Sequence, residues 1–154
     1  MKRFVPVLFF VLLSYFVGYI SMLLQYDALQ VWYPSLVKSP LTPPGYVFSI
    51  VWGVLYLLMG ISAGIVWSMR TVYSWVLAVL FFVQLAFNLL WTFCFFYLES
   101  PVLGLAVLVI FFMVLAVYVA ACYKQNRLSA ILNFPYLLWL LFAGYLNAYV
   151  AFYN

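Results

Sequence analysis

The chain has 154 residues, of which 71% are hydrophobic and 5% charged, and its mean hydropathy of +1.24 is the composition of an integral membrane protein rather than a water-soluble one. The net charge of +4 comes from six Lys and Arg dispersed between apolar runs, with no basic stripe, so nucleic-acid binding is set aside. There is no His, Cys94 and Cys122 stand apart inside apolar runs as buried thiols, and no carboxylate cluster or Gly-rich phosphate loop occurs, so hydrolytic, phosphoryl-transfer and metal chemistry have no visible machinery.

Five stretches supply the roughly 20 apolar residues that a helix needs to cross a bilayer. They run over residues 4–24, 45–69, 73–98, 102–123 and 128–152. Their hydrophobicity is continuous rather than alternating, which predicts an all-α membrane protein, a single bundle of five transmembrane helices, and disfavours a β-barrel. The first run follows Met1-Lys2-Arg3 as in a secretory signal peptide, but it is longer than the usual apolar region of about 7–15 residues. No small-residue cleavage site follows it, so a retained span is expected.

The connection over residues 25–44 is the only long one, and it carries Trp32, Tyr33, Leu36, Val37 and Leu41 among its polar residues. It is too apolar for a disordered linker and should fold over the bundle mouth, with a short helix from Asp27 to Leu36. It ends in Thr42-Pro43-Pro44-Gly45, where the prolines suit a helix entry and Thr42 is the expected N-cap. In the second span Phe48, Trp52 and Tyr56 recur at i, i+4 and i+8, lining one side with rings. Gly60 and Gly64 further along form a GxxxG, a sign of close helix packing or of a dimer face.

In the third span Gln84, Asn88 and Thr92 share a face at membrane depth, with Trp91 beside them. Such groups must face the bundle interior, either bonding between helices or forming a polar patch in a ligand cavity. The fifth span places Trp139, Ala143 and Asn147 on one face, flanked by Phe142 and Tyr145, and Pro135 is expected to kink it. Tyr73, Trp75, Tyr118, Tyr123 and Tyr153 read as interfacial belts. Trp52 and Trp139 lie deeper and are the candidates for stacking on a planar ligand. Neither Asp27 nor Glu99 lies in a span, which argues against a proton-coupled antiporter. Lys2, Arg3, Arg70, Lys124 and Arg127 fall on one side of five spans and Lys38 on the other, so the positive-inside rule puts the amino terminus in the cytoplasm and the long loop and carboxyl terminus outside.

The chain resembles the TspO/MBR family of tryptophan-rich sensory proteins and mitochondrial translocator (peripheral benzodiazepine receptor) proteins. The resemblance rests on Trp32-Tyr33, on Thr42-Pro43-Pro44-Gly45 through Val51-Trp52 to Leu55-Tyr56, on Asn88-Leu89-Leu90-Trp91 with Phe95-Phe96, and on Pro135-Tyr136-Leu137-Leu138-Trp139 with Phe142-Ala143-Gly144-Tyr145-Leu146-Asn147, in that order. It implies a bacterial cell-membrane protein, often a homodimer, whose five helices enclose a cavity under the first loop for tetrapyrroles such as protoporphyrin IX. In animals the ligands implied are cholesterol and synthetic isoquinolines or benzodiazepines. Some bacterial members are credited with light-dependent breakdown of the porphyrin, and Trp52 and Trp139 match the tryptophans linked to it. Tyr33, Pro43, Asn88, Trp91 and Ala143 match cavity-lining positions. With them the candidate ligand-binding residues are Trp32, Lys38, Pro44, Phe48, Tyr56, Gln84, Phe95, Phe142 and Asn147, Lys38 being placed either to meet a porphyrin propionate or to anchor the loop at the membrane interface. No obligatory cofactor or metal is expected. The competing expectation is a transporter or sensor of porphyrins, sterols or other lipids with no chemistry of its own. The animal sterol motif is incomplete here, since no Lys or Arg follows Tyr145 or Tyr149.

Overall fold

A computed structural model describes residues 4–154; Lys2 and Arg3, on which part of the charge bias rests, lie outside the described residues. The chain forms α1 (Phe4–Gln30), a one-turn α2 (Trp32–Ser35), α3 (Gly45–Trp67), α4 (Val72–Thr92) continued by a π-helical turn (Phe93–Tyr97), α5 (Pro101–Gln125) and α6 (Arg127–Tyr153). Five of these helices are long and apolar enough to span a membrane. All five expected spans are found, but the first runs to Gln30 rather than Leu24. The helix expected over 27–36 is therefore divided between the end of α1 and the one-turn α2, with the break where Pro34 has no N–H to offer the Gln30 carbonyl.

Two packing seams fix the bundle. On α3, a Cβ at Gly60 would lie 2.5 Å from the Val11 Cα, and one at Gly64 would meet the Val7 backbone, so both glycines serve close approach of α1 within the chain. At the same end, α3 and α6 are pinned by hydrogen bonds: Ser62 Oγ donates to the Ser129 carbonyl at 2.9 Å and Asn133 Nδ2 to Ser62 Oγ at 2.7 Å. Phe81, Phe111, Leu115, Tyr118, Tyr136 and Leu140 fill the centre. Tyr118, expected in an interfacial belt, is fully buried there, because its turn of α5 faces inward together with Leu115 and Cys122. Trp75, Tyr73, Tyr123 and Tyr153 are exposed, as a belt requires. Cys94 and Cys122 are free and buried.

One local expectation changes. Thr42 is not the N-cap of α3; Pro44 holds that place with no side-chain cap. Pro43, standing before a proline, is disfavoured in the helical region and Pro44 is extended, so the helix begins only at Gly45, and the Thr42 N–H closes a turn onto the Ser39 carbonyl at 2.9 Å. Pro135 stands inside α6, which runs on past it to Tyr153. Between α4 and α5, Leu98 N–H reaches the Phe93 carbonyl at 2.9 Å, five residues back. That wider turn lets three consecutive residues, Cys94, Phe95 and Phe96, all be buried.

Candidate functional site

A cavity of about 440 Å³ opens between α1 and α3 and is backed by α4. Ring and hydroxyl side chains build it. Tyr15, Tyr19, Met22, Gln25 and Leu29 come from α1; Tyr33 and Pro43 roof it; Phe48, Trp52 and Tyr56 come from α3 and Asn88, Trp91 and Thr92 from α4. No side chain among these is charged. Burial pushes the Tyr33 phenol above its ordinary range, so it too stays neutral.

The aromatic wall is a continuous stack. Trp52 lies over Trp91 at 5.9 Å between ring centres and 29° between planes, and Trp91 over Phe95 at 5.9 Å and 28°. Each ring is held by a polar partner or a neighbouring edge. Trp91 Nε1 donates to Asn147 Oδ1 at 3.1 Å, while Asn147 Nδ2 donates to the Pro101 carbonyl at 2.7 Å, tying α4, α5 and α6 together. Tyr56 Oη donates to Asn88 Oδ1 at 2.8 Å, and Asn88 Nδ2 donates to Tyr136 Oη at 3.1 Å. Thr92 returns its hydroxyl to the Asn88 carbonyl at 3.2 Å. The third-span polar face is thus buried as expected; Asn88 bonds across helices and also borders the cavity. Gln84, one turn deeper, is fully buried, outside the lining and without a hydrogen-bond partner among the described residues.

Of the ligand-binding candidates, the fold brings Tyr33, Pro43, Phe48, Trp52, Tyr56, Asn88 and Trp91 together around this space. Trp32, Lys38, Pro44, Gln84, Phe95, Trp139, Phe142, Ala143 and Asn147 do not line it. Trp139 stands behind Trp52, edge to face at 6.4 Å and 89°, and against Phe48 at 5.6 Å, so a ligand cannot be sandwiched between Trp52 and Trp139. Trp32 packs its edge on Phe95 at 5.5 Å, and Ala143 is buried in the same cluster. Lys38 Nζ donates to the carbonyls of Tyr33, Pro34 and Leu36 at 2.8, 3.0 and 2.9 Å and lies over the Tyr33 ring at 5.2 Å. All three of its donors are therefore committed to the loop backbone, leaving none for a propionate.

Sequence reasoning missed the contribution of α1. Tyr15, Tyr19, Met22, Gln25 and Leu29 follow a helical period, and the hydroxyls and the amide among them were the available signal. Gly18 belongs to the same wall, where a Cβ would lie 2.6 Å from the Tyr56 ring. On α3, Ser49 and Gly53 were missed as well.

Comparison with known proteins follows the same outline. The model of the TspO/MBR family matches residues 10–153. A tryptophan-rich protein TspO of Archaeoglobus fulgidus is 32% identical over 131 residues, 85% of each chain. Protein CrtK of Rhodobacter capsulatus is 36% identical over 75% of this chain and 74% of its own, and the translocator protein of Bos taurus 34% identical over 75% and 70%. Five apolar spans, the tryptophan-lined cavity and a family match over nearly the whole length agree, and the chain belongs to the TspO/MBR family.

Proposed function

We propose that the cavity binds a tetrapyrrole of the protoporphyrin IX type. The observation that carries this reading is an uncharged space of about 440 Å³ walled by Trp52, Trp91, Phe48 and Tyr56. Broad π-faces suit a flat ring, and uncharged walls suit an apolar macrocycle whose propionates stay at the surface. Tyr33, Pro43, Phe48, Trp52, Tyr56, Asn88 and Trp91 are the contacts. Trp139, Phe95, Ala143 and Asn147 hold those contacts from behind, Trp32 and Phe142 pack around them, and Pro44 and Lys38 shape the loop. Trp52 stands beside the bound ring, where light-driven porphyrin loss would depend on placement rather than acid–base chemistry.

Transport or sensing of a porphyrin, sterol or other lipid is the second reading. It is favoured by the absence of any ionised side chain on the wall and by the names of relatives, translocator protein and tryptophan-rich sensory protein. We place the α2 end outside the cytoplasm, since Arg70, Lys124 and Arg127 lie at the other end of the spans. The homodimer implied by the resemblance would use a surface other than Gly60 and Gly64, which α1 covers.

The test separates the two readings. Purified protein is mixed with protoporphyrin IX and its absorption bands are followed under light, with free porphyrin in the same detergent as control. Protein-dependent bleaching to a defined product, slowed in Trp52→Phe more than binding is weakened, supports chemistry. Saturable binding with an unchanged spectrum supports transport or sensing.

A further inference from the structure

The cavity has two possible routes in, and the structure holds them shut very differently. From above, the connection between α2 and α3 is latched to α6. Asn154 Oδ1 accepts from the Val37 N–H at 2.9 Å and Asn154 Nδ2 donates to the Val37 carbonyl at 3.1 Å. Ser39 Oγ and Tyr145 Oη are 2.9 Å apart, and Lys38 knits three carbonyls of the same segment.

From the side, between α1 and α3, one hydrogen bond crosses the opening: Tyr15 Oη donates to the Gly53 carbonyl at 2.9 Å. The rim there is exposed, with Tyr15, Tyr19 and Met22 on α1 and Gly45 and Ser49 on α3. Gly53 stands eight residues into α3, about 12 Å below Gly45 at the helix rise, so the opening runs down into the hydrocarbon depth.

Gly53 has no packing reason to be glycine. A Cβ there would meet nothing within 4 Å, in contrast to Gly60 and Gly64 on the same helix, whose Cβ atoms would strike α1. Glycine inside a helix is destabilising, and here the missing side chain leaves only open space at the cavity wall. The two helices thus close on each other at the Gly60–Gly64 end and part at the Gly45–Gly53 end.

We propose that the cavity is loaded from the plane of the membrane, through a side portal between α1 and α3 that Tyr15 bars and Gly53 keeps open. Its ligand is an amphiphile already dissolved in the bilayer half nearer α2, entering with its uncharged part first and leaving charged groups at the headgroups. The inference deepens the tetrapyrrole reading and rests on it for the probe used in the rate measurement.

The test follows protoporphyrin IX binding and release in proteoliposomes by stopped-flow tryptophan quenching, with the porphyrin supplied in protein-free vesicles. Tyr15→Phe removes the bar, and both rates should rise about fivefold. Gly53→Leu fills the opening and should slow both rates about tenfold or more. Asn154→Ala, which frees the loop, should leave both unchanged. Faster exchange in Asn154→Ala with Tyr15→Phe at the parent rate would overturn the portal, as would a Gly53→Leu effect confined to release.

A second readout needs no porphyrin. Phospholipids brominated at mid-chain should quench Trp52 emission, taken as parent minus Trp52→Phe, and Gly53→Leu should shield it. Absence of that quenching overturns the portal even where porphyrin binds. Its presence in a protein that binds no porphyrin keeps the portal and removes the tetrapyrrole reading.

Discussion

Gly60 and Asn147 show how single residues set this site from outside it. A side chain at Gly60 would collide with the Val11 backbone rather than with a flexible tip, so α1 has to move. Gly60→Val should therefore destabilise by about 1–3 kcal/mol, read as a lowered melting midpoint in detergent; an unchanged midpoint would show that α1 yields freely. Asn147 satisfies both the Trp91 indole N–H and the Pro101 carbonyl. Asn147→Ala would orphan both, at about 1–3 kcal/mol, and should also weaken porphyrin binding by releasing the Trp91 ring; a fall in stability with unchanged affinity would restrict Asn147 to scaffolding. At this scale the sequence was read well for Asn88, whose spacing with Gln84 and Thr92 demanded burial. It was read poorly for Lys38, because nothing in a sequence shows that a lone cation will wrap back on its own loop.

Among the elements, the segment between α2 and α3 is the one whose order depends on distant partners. Both backbone groups of Val37 bond the Asn154 side chain, 117 residues away. Asn154→Ala should raise amide exchange across residues 36–44 by about an order of magnitude, checked by hydrogen–deuterium exchange with α3 as internal reference. Unchanged exchange would mean that Lys38 and Ser39 suffice. The spans were legible because continuous apolar runs have few alternatives in a bilayer, and their ends moved by only a residue or two except in α1. There the helix continued past Leu24 into polar sequence, since Gln25 and Asp27 lie in a helix that neighbours support, which composition does not show. The π-helical turn at Phe93–Tyr97 was equally invisible, because it answers the need to bury Cys94, Phe95 and Phe96 together.

For the whole molecule, the aromatic content was visible from composition, but its division between belt, core and cavity was not. Tyr118 went to the core, Trp52 to the cavity and Trp139 behind it, according to which neighbours the α1–α3 and α3–α6 seams brought close. The cavity wall carries no charge and Tyr33 is held neutral by burial. The affinity for an uncharged planar ligand should therefore be flat from about pH 6 to 9, measured by titration at fixed ionic strength; a step in that window would reveal a titrating wall group. In the function proposed above, this cavity, and not another surface, receives the tetrapyrrole. Its most direct test is a dark titration of protoporphyrin IX against the parent and Trp52→Ala in the same vesicles. Saturation at one porphyrin per chain is expected for the parent, with affinity lowered about tenfold in Trp52→Ala. Superimposable curves, or a parent that never saturates, would contradict it.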